Sequence, residues 1–194
     1  KIFNKQGKQG LTGVMKSIDN DIQYVFKISQ NLDYMIHHET TIINCLTDMS
    51  KYCHNFCKYI GNIVCDVDPA KRKSGNPFEI TSKYPIEKEV LLIEYLENTY
   101  QFSKMIYNDN SDENCLYSIV KQVLLAVSIG QKKKKFTHYD LHSNNVLIKE
   151  CNKDLVFLYV LDEETQFYVS SLGFYPVIID FGFSYCKDKK NDYH

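Results

Sequence analysis

His138-Tyr139-Asp140-Leu141-His142-Ser143-Asn144-Asn145 runs directly into Val146-Leu147-Ile148. The first eight residues are mostly polar and follow neither a helical nor a strand period. The next three are apolar and read as the start of a strand. An acid therefore sits inside a turn, and an amide follows five positions later. Downstream, Val177-Ile178-Ile179 is a second apolar run, and it leads into Asp180-Phe181-Gly182. Taken singly, Asp140, Asn145 and the Asp-Phe-Gly triplet are ordinary turn formers. Taken in order, each beside an apolar strand, they form a much more specific pattern.

The rest of the chain sets bounds. At 194 residues it is long enough for one sizeable core or two small lobes. Its 44% hydrophobic and 24% charged content is that of a globular chain rather than a disordered one. A net charge of −1 makes no case for nucleic acid or an anionic membrane. No run approaches the roughly 18 apolar residues of a membrane span. The chain begins at Lys1, so a missing leader carries little meaning. Seven cysteines, an odd number without a tight framework, favour reduced thiols. Cys53-x-x-x-Cys57 with His54 between lacks the second ligand pair of a metal site.

Upstream, Gly7, Gly10 and Gly13 punctuate the first segment, and Gln23–Ile28 is a short β-type run with Lys27 in its apolar half. Asp33–Met49 reads as a helix, with Ile36, Ile43 and Leu46 near one face and Glu39 beside them. Tyr59–Val67 looks like a strand. Asp68–Pro85 reads as a long surface loop containing Lys71-Arg72-Lys73. Glu89–Ile93 is a buried-strand candidate. Cys115–Ile129 is the clearest helix, with Leu116, Ile119, Val120, Val123, Leu124 and Val127 at helical spacing and Gly130 as its stop. Lys132–Lys135 reads as a solvated basic turn. Between Asn145 and Asp180, the runs Leu155–Leu161 and Gln166–Ser170 flank Asp162-Glu163-Glu164-Thr165 and predict an inserted β-hairpin. Asp188–His194 is a polar tail.

The two opening stretches together resemble the catalytic loop and metal-binding triplet of the protein-kinase superfamily, whose patterns are H-R-D-x-x-x-x-N and D-F-G. The resemblance extends from about Gly10 to Tyr185. It implies an α+β, protein-kinase-like fold. Residues 1–96 would form a β-rich N-lobe with a C-helix and hinge. Residues 97–194 would form a partial helical C-lobe ending after D-F-G, with the hairpin inserted. It also implies ATP and Mg²⁺ as cofactors. Asp140 would orient the acceptor hydroxyl and take its proton, and Asn145 and Asp180 would bind the metal. Lys27 would stand for the Lys of V-A-I-K on the α/β-phosphates, with Glu39 as its ion-pair partner. Gly10-Leu11-Thr12-Gly13 would be the end of a glycine-rich phosphate-covering loop, although Lys8 and Met15 depart from G-x-G-x-x-G-x-V. Ile93 would guard the back of the nucleotide pocket, and the backbone of Glu94 and Leu96 would bond adenine. Phe181 would pack in the interior, and His138 would brace the loop.

The implied activity is transfer of the ATP γ-phosphate to a Ser or Thr hydroxyl of a protein, in a divergent branch resembling kinases of large DNA viruses. The compartment would be the cytoplasm, or the host cytoplasm or virion for a viral protein. No nucleic-acid partner is expected. No A-P-E-like sequence follows D-F-G, which implies poor turnover of protein substrates by this piece and some exposed apolar surface. His142 stands where many such kinases carry Lys and would approach the γ-phosphate. The resulting H-x-D-x-H-x-x-N is similar to small-molecule phosphotransferases such as aminoglycoside and choline kinases, a second reading. A third is a pseudokinase or nucleotide-binding module, suggested by the degenerate glycine segment.

Overall fold

The computed structural model describes residues 10–29, 34–67, 85–109 and 111–187. Gly7, most of the loop from Asp68 with its Lys71-Arg72-Lys73 run, and the tail from Asp188 lie outside the described residues. The chain divides into two compact units, one drawn from Lys1–His37 and Ile60–Tyr95, the other from His38–Tyr59 and Leu96–His194.

The first unit is built on an antiparallel meander with a displaced strand. Strands β1 (Gly10–Lys16), β2 (Gln23–Ser29), β3 (Tyr59–Val67) and β4 (Ile86–Glu94) form one sheet in the order β1-β2-β4-β3. β1 pairs with β2 through Gly13 and Phe26, and β2 pairs with β4 through Lys27 and Leu91. Aromatic and β-branched residues in β2 suit a pleated, half-buried surface. Val90, Leu91 and Ile93 of β4 are buried. In β3, Asn62 donates to Glu89 of β4.

Helix α1 (Tyr34–Thr47) continues into a 3-10 turn at Asp48–Lys51. Ile36, Ile43 and Leu46 are all buried, as their spacing of seven and three predicts. Each such side chain removed from water contributes on the order of 1.5–3 kcal/mol.

The second unit combines helices with two small sheets. Strand β5 (Thr99–Gln101) and short helix α2 (Phe102–Ile106) precede the long helix α3 (Glu113–Lys134). Strands β6 (Val146–Glu150) and β9 (Phe174–Ile178) are antiparallel neighbours, in the sheet order β5-β6-β9. Between them, β7 (Val156–Val160) and β8 (Gln166–Ser170) form the separate two-stranded hairpin that the sequence predicts. Its turn is closed by the Leu161 N–H donating to the Thr165 carbonyl at 3.0 Å and by the Glu164 N–H donating to Asp162 Oδ1 at 3.1 Å. Phe102, Met105, Cys115, Ile119, Val146 and Ile148 make one continuous core.

Helix α3 corrects two expectations. It runs past Gly130 to Lys134 and ends at Lys135 in the left-handed region, φ 53°. Gly130 is a packing position: a Cβ there would lie 3.1–3.4 Å from the Phe136 side chain. The buried face is also rotated from the one the aliphatic spacing suggests. Val120 and Leu124 are exposed, whereas Ser118 and Gln122 are buried. These polar residues are tolerated inside because their partners are in place. Ser118 Oγ donates to the Ser170 carbonyl at 2.6 Å, and Gln122 Nε2 donates to the Phe174 carbonyl at 3.2 Å. The Asp112 carboxylate caps the helix by accepting from the Asn114 N–H at 2.9 Å. Lys132, Lys133 and Lys134 fill the last turn, where the helix dipole favours cations. Lys132 pairs with Asp162 of the hairpin turn, which holds that carboxyl well below the usual carboxylate range, and Lys134 reaches Asp48 at 3.4 Å.

Candidate functional site

The candidate residues of the first unit lie on paired strands. Gly10 and Gly13 are both within β1, opposite Ser29 and Phe26, so they belong to a strand rather than to an open loop. A Cβ on Gly10 would collide with the Ile28 carbonyl oxygen, so close pairing of β1 with β2 requires glycine there. Lys27 lies in β2 between Thr12 and Leu91, partly exposed. Ile93 is buried opposite Val25, and Glu94 ends β4 opposite Tyr24. Leu96 begins the second stretch of the second unit, and its carbonyl accepts from Thr99 Oγ1 at 3.0 Å. Lys27 and Glu39 fall in different units.

The second unit gathers the remaining residues. β6 ends a tight segment in which the backbone must reverse, and Tyr139 takes a left-handed φ of 60° to do so. That conformation costs a residue with a Cβ about 1–2 kcal/mol. Asn145 repays part of it from inside the turn. It is buried, and its Nδ2 donates to the Asp140 carbonyl at 3.0 Å and to Asp140 Oδ2 at 3.4 Å. The five-residue separation noted in the sequence is thus the span of a turn closed by its own side chain. Because Asn145 donates through Nδ2, its Oδ1 is the oxygen left to face a cation, and a neutral amide oxygen is a suitable ligand for Mg²⁺.

His142 is placed in the same turn. Its Nδ1 accepts from the Asn144 N–H at 3.2 Å. Its Nε2 lies 3.9 Å from Asp140 Oδ2, and both side chains are close to half exposed. With Nδ1 accepting, a neutral ring carries its proton on Nε2, on the side of Asp140.

His138 behaves differently. It is buried, with Nδ1 facing the Asp140 N–H at 3.4 Å and Nε2 facing the Ile179 carbonyl at 3.1 Å. The neutral tautomer protonated on Nε2 satisfies both contacts. Burial pushes its pKa down, against the opposing pull of the Ile179 carbonyl, of its own backbone and of the Asp180 and Asp140 charges. A neutral ring that links the segment before Asp140 to the segment before Asp180 is a brace. Phe136 and Phe181 pack on it, with ring centroids at 6.1 and 5.6 Å, and Phe56 joins them edge-on to Phe136 at 5.4 Å.

The two motifs meet through the backbone. The Ile179 N–H donates to the Asn145 carbonyl at 3.0 Å, so the residue before Asp180 is bonded to the last residue of the turn. Asp180 is exposed and left-handed, φ 66°. Phe181 is fully buried, and its N–H donates to Glu39 Oε1 at 3.2 Å. Glu39 itself is 6% exposed, which answers the expectation of a charged residue on the apolar face of α1. Among the described residues no group of three or more His, Cys, Asp or Glu side chains is arranged to hold a metal. A Mg²⁺ site needs fewer protein ligands, since that ion keeps waters and takes substrate phosphates alongside one or two carboxylates. Asp180 and Asn145 fit such a role. No helix among the described residues is long and apolar enough to cross a membrane.

One supporting residue carries no signal in the sequence. Asn55 accepts the Ile178 N–H on its carbonyl at 2.7 Å and donates from Nδ2 to the Pro176 carbonyl at 2.8 Å. It thereby fixes the end of β9 just before Asp180, from 121 positions away. Tyr159 of β7 donates to Asn55 Oδ1 at 2.9 Å and lies 3.4 Å from Gln122 Oε1, so the inserted hairpin holds the same asparagine. Burial pushes the Tyr159 hydroxyl pKa well up, which keeps it a donor.

No family model matches the chain. Uncharacterized protein 038R of Invertebrate iridescent virus 3 is 30% identical over 171 residues, 84% of this chain and 30% of that protein. Uncharacterized protein 098R of Invertebrate iridescent virus 6 is 29% identical over 204 residues, 87% and 34% of the two chains. Uncharacterized protein ZK177.2 of Caenorhabditis elegans is 29% identical over 154 residues, 78% and 47%. The chain therefore spans about a third to a half of the length of these relatives. A crystal structure of a kinase domain matches over 100% of this chain and 52% of that chain, with a TM-score of 0.57 and 22% identity. The fold is that of a kinase domain.

Proposed function

We propose that the chain is the ATP-dependent phosphotransferase part of a longer protein, and that it acts on the hydroxyl of a protein Ser or Thr. The observation that carries this reading is the bond from Ile179 N–H to the Asn145 carbonyl at 3.0 Å, which brings the Asp140 turn and Asp180 to one place. Phosphoryl transfer calls for a carboxylate near the attacking oxygen and a cation on the phosphates. Asp140 is assigned to the first task, to orient the hydroxyl and receive its proton. Asn145 Oδ1 and the Asp180 carboxylate are assigned to Mg²⁺, which would neutralise charge on the phosphate oxygens. Lys27 is assigned to the α/β-phosphates with Glu39 as its partner, and the β1 glycines Gly10 and Gly13 to covering them. Ile93 and the backbone of Glu94 and Leu96 are assigned to the adenine. The proposed compartment is cytoplasmic.

A second reading has an observation of its own. His142 Nε2 at 3.9 Å from Asp140 Oδ2 would present a donor to a transferring phosphate in the manner of small-molecule phosphotransferases. The two readings separate by acceptor: label on added protein favours the first, and turnover of a metabolite hydroxyl without labelled protein favours the second.

The nucleotide site is tested first by thermal unfolding with ATP, with and without Mg²⁺. A ligand at a hundredfold its Kd adds about 2.7 kcal/mol to the folded state. For a chain of this size that raises Tm by roughly 5–10 °C. The rise should need Mg²⁺ and vanish in Asp180→Ala. No rise at saturating Mg²⁺ and ATP, or one indifferent to both metal and variant, would count against the assignment.

A further inference from the structure

We propose that Cys45 and Cys186 are a redox-sensitive pair, and that their reversible disulfide staples the segment following Asp180-Phe181-Gly182 to helix α1. The two sulfurs are 3.2 Å apart although the residues are 141 positions apart in sequence. A disulfide needs about 2.05 Å between sulfurs, so closure asks for a shift of only about 1.2 Å. No disulfide is formed among the described residues.

The approach of the sulfurs is not that of a loose strand drifting past a helix. The backbone on both sides of Cys186 is held. Tyr185 exchanges backbone bonds with Thr137 at 2.7 and 2.9 Å, and the Lys187 N–H donates to the Lys134 carbonyl at 2.7 Å. Further back, the Ser184 carbonyl lies 2.8 Å from His38 Nε2, and the Phe181 N–H donates to Glu39. His38 and Cys45 are seven positions apart on α1 and so share a face of the helix. Three contacts therefore run from α1 to the same short segment, and the thiol pair is the one that can become covalent.

The pair is also suited to the chemistry. Cys186 is partly exposed and Cys45 is 6% exposed, so an oxidant in solution meets Cys186 first. With a peroxide as oxidant, the Cys186 thiolate attacks a peroxide oxygen, the O–O bond breaks, and a sulfenic acid and one water result. The Cys45 thiolate then attacks that sulfur, the S–O bond breaks, and the oxygen leaves as a second water with the thiol protons. Two thiols are oxidised by two electrons and one hydrogen peroxide is reduced. Cys53 offers a contrast within the same unit: it is buried, and burial pushes its thiol up to about 11, which disfavours the reactive thiolate. The consequence of closure is mechanical. The Phe181 N–H would be kept on Glu39, and the segment would be barred from leaving α1. This inference stands whether or not the chain binds nucleotide.

The test uses the 194-residue chain, reduced, freed of reductant, titrated with hydrogen peroxide and blocked with N-ethylmaleimide. Peptide mapping without reductant should find a Cys45–Cys186 cross-linked peptide that dithiothreitol abolishes. Amide exchange across 181–187 should slow at least about tenfold in the oxidised chain. Its Tm should rise by roughly 5–10 °C, since the link closes a long loop of the unfolded chain. Cys186→Ser should show none of these changes on oxidation. Full N-ethylmaleimide labelling of Cys45 after oxidation, or Cys186 recovered only as sulfinic acid or joined to a different cysteine, would overturn the proposal. The mapping needs only wild-type protein, so a poorly folding variant does not blunt it.

Discussion

The turn at Asp140–Asn145 and the hairpin of β7 and β8 are both excursions from the same small sheet, and they are stabilised in opposite ways. The turn is short and polar and holds strained backbone at Tyr139, with Asn145 bonded across it. The hairpin is regular, with an unbroken five-pair register from Val156–Ser170 to Val160–Gln166. One face, through Tyr159 and Val169, is buried, while Val156, Leu158, Val160 and Tyr168 on the other are exposed. The turn is specified by side chains reaching backbone, and the hairpin by alternation of side chains about a pleat. Left-handed backbone is found at both kinds of place, at Tyr139 and Asp180 beside the proposed chemistry and at Lys135 and Leu172 in the scaffold, so the contrast between turn and hairpin lies in what holds them and not in strain alone.

Substitutions can break this contrast. The largest effect is expected for Asn145→Ala, which removes both the brace on Asp140 and a proposed Mg²⁺ ligand. Phosphotransfer by the longer parent protein should fall by about 100-fold or more. Steady-state assay of labelled phosphate would check this, and an unchanged rate would detach Asn145 from the chemistry. Next is Tyr159→Phe in the hairpin. Losing the hydroxyl leaves Asn55 Oδ1 without its 2.9 Å donor, at about 1–2 kcal/mol of stability by urea unfolding. Nucleotide-dependent stabilisation should survive, because the change is confined to support. An equal loss of nucleotide binding would mean that the hairpin is part of the site.

A pH series sharpens the contrast further. His138 has its folded-state pKa pushed down by burial, so the unfolded chain binds a proton that the folded chain resists. Its contribution is fully present above the unfolded value of about 6.5 and is lost as pH falls below it. His138→Gln should therefore unfold with a flatter pH dependence between about pH 7 and 5 than the wild type. Identical slopes would mean that another group carries the acid sensitivity. The smallest effect is expected for Leu158→Thr on the exposed face, within about 0.5 kcal/mol of wild type. A larger loss would show that this face is covered in solution.

The helices illustrate how far the sequence could be read. In α1, the seven-and-three spacing of Ile36, Ile43 and Leu46 identifies the buried face, and the structure agrees because apolar residues make up most of it, with Glu39 the buried charge among them. In α3 the same reasoning misplaces Val120 and Leu124, because Ser118 and Gln122 become interior residues once β8 and β9 supply their partners. A buried hydrogen bond between distant segments leaves no period in either segment. Gly130 misleads for a related reason. Its lack of a side chain answers to Phe136 across a gap, not to the end of the helix.

Pairing with β2 and β6 made strands of the glycine-punctuated β1 and the three-residue β5, while local physics determined the other strands, the existence of both long helices, the Asp162–Thr165 turn and the order of the two acidic motifs. These follow from periodicity, turn chemistry and the reach of a five-residue loop, all carried by neighbours in the chain. Tertiary structure alone decided that Asn55 and Tyr159 support β9, that His138 is a neutral brace, that Glu39 meets the Phe181 N–H and that two cysteines 141 positions apart lie 3.2 Å from each other. Each of these depends on pairing groups from remote parts of the chain, and only the closed fold brings such groups within the few ångströms over which hydrogen bonds and sulfur contacts act.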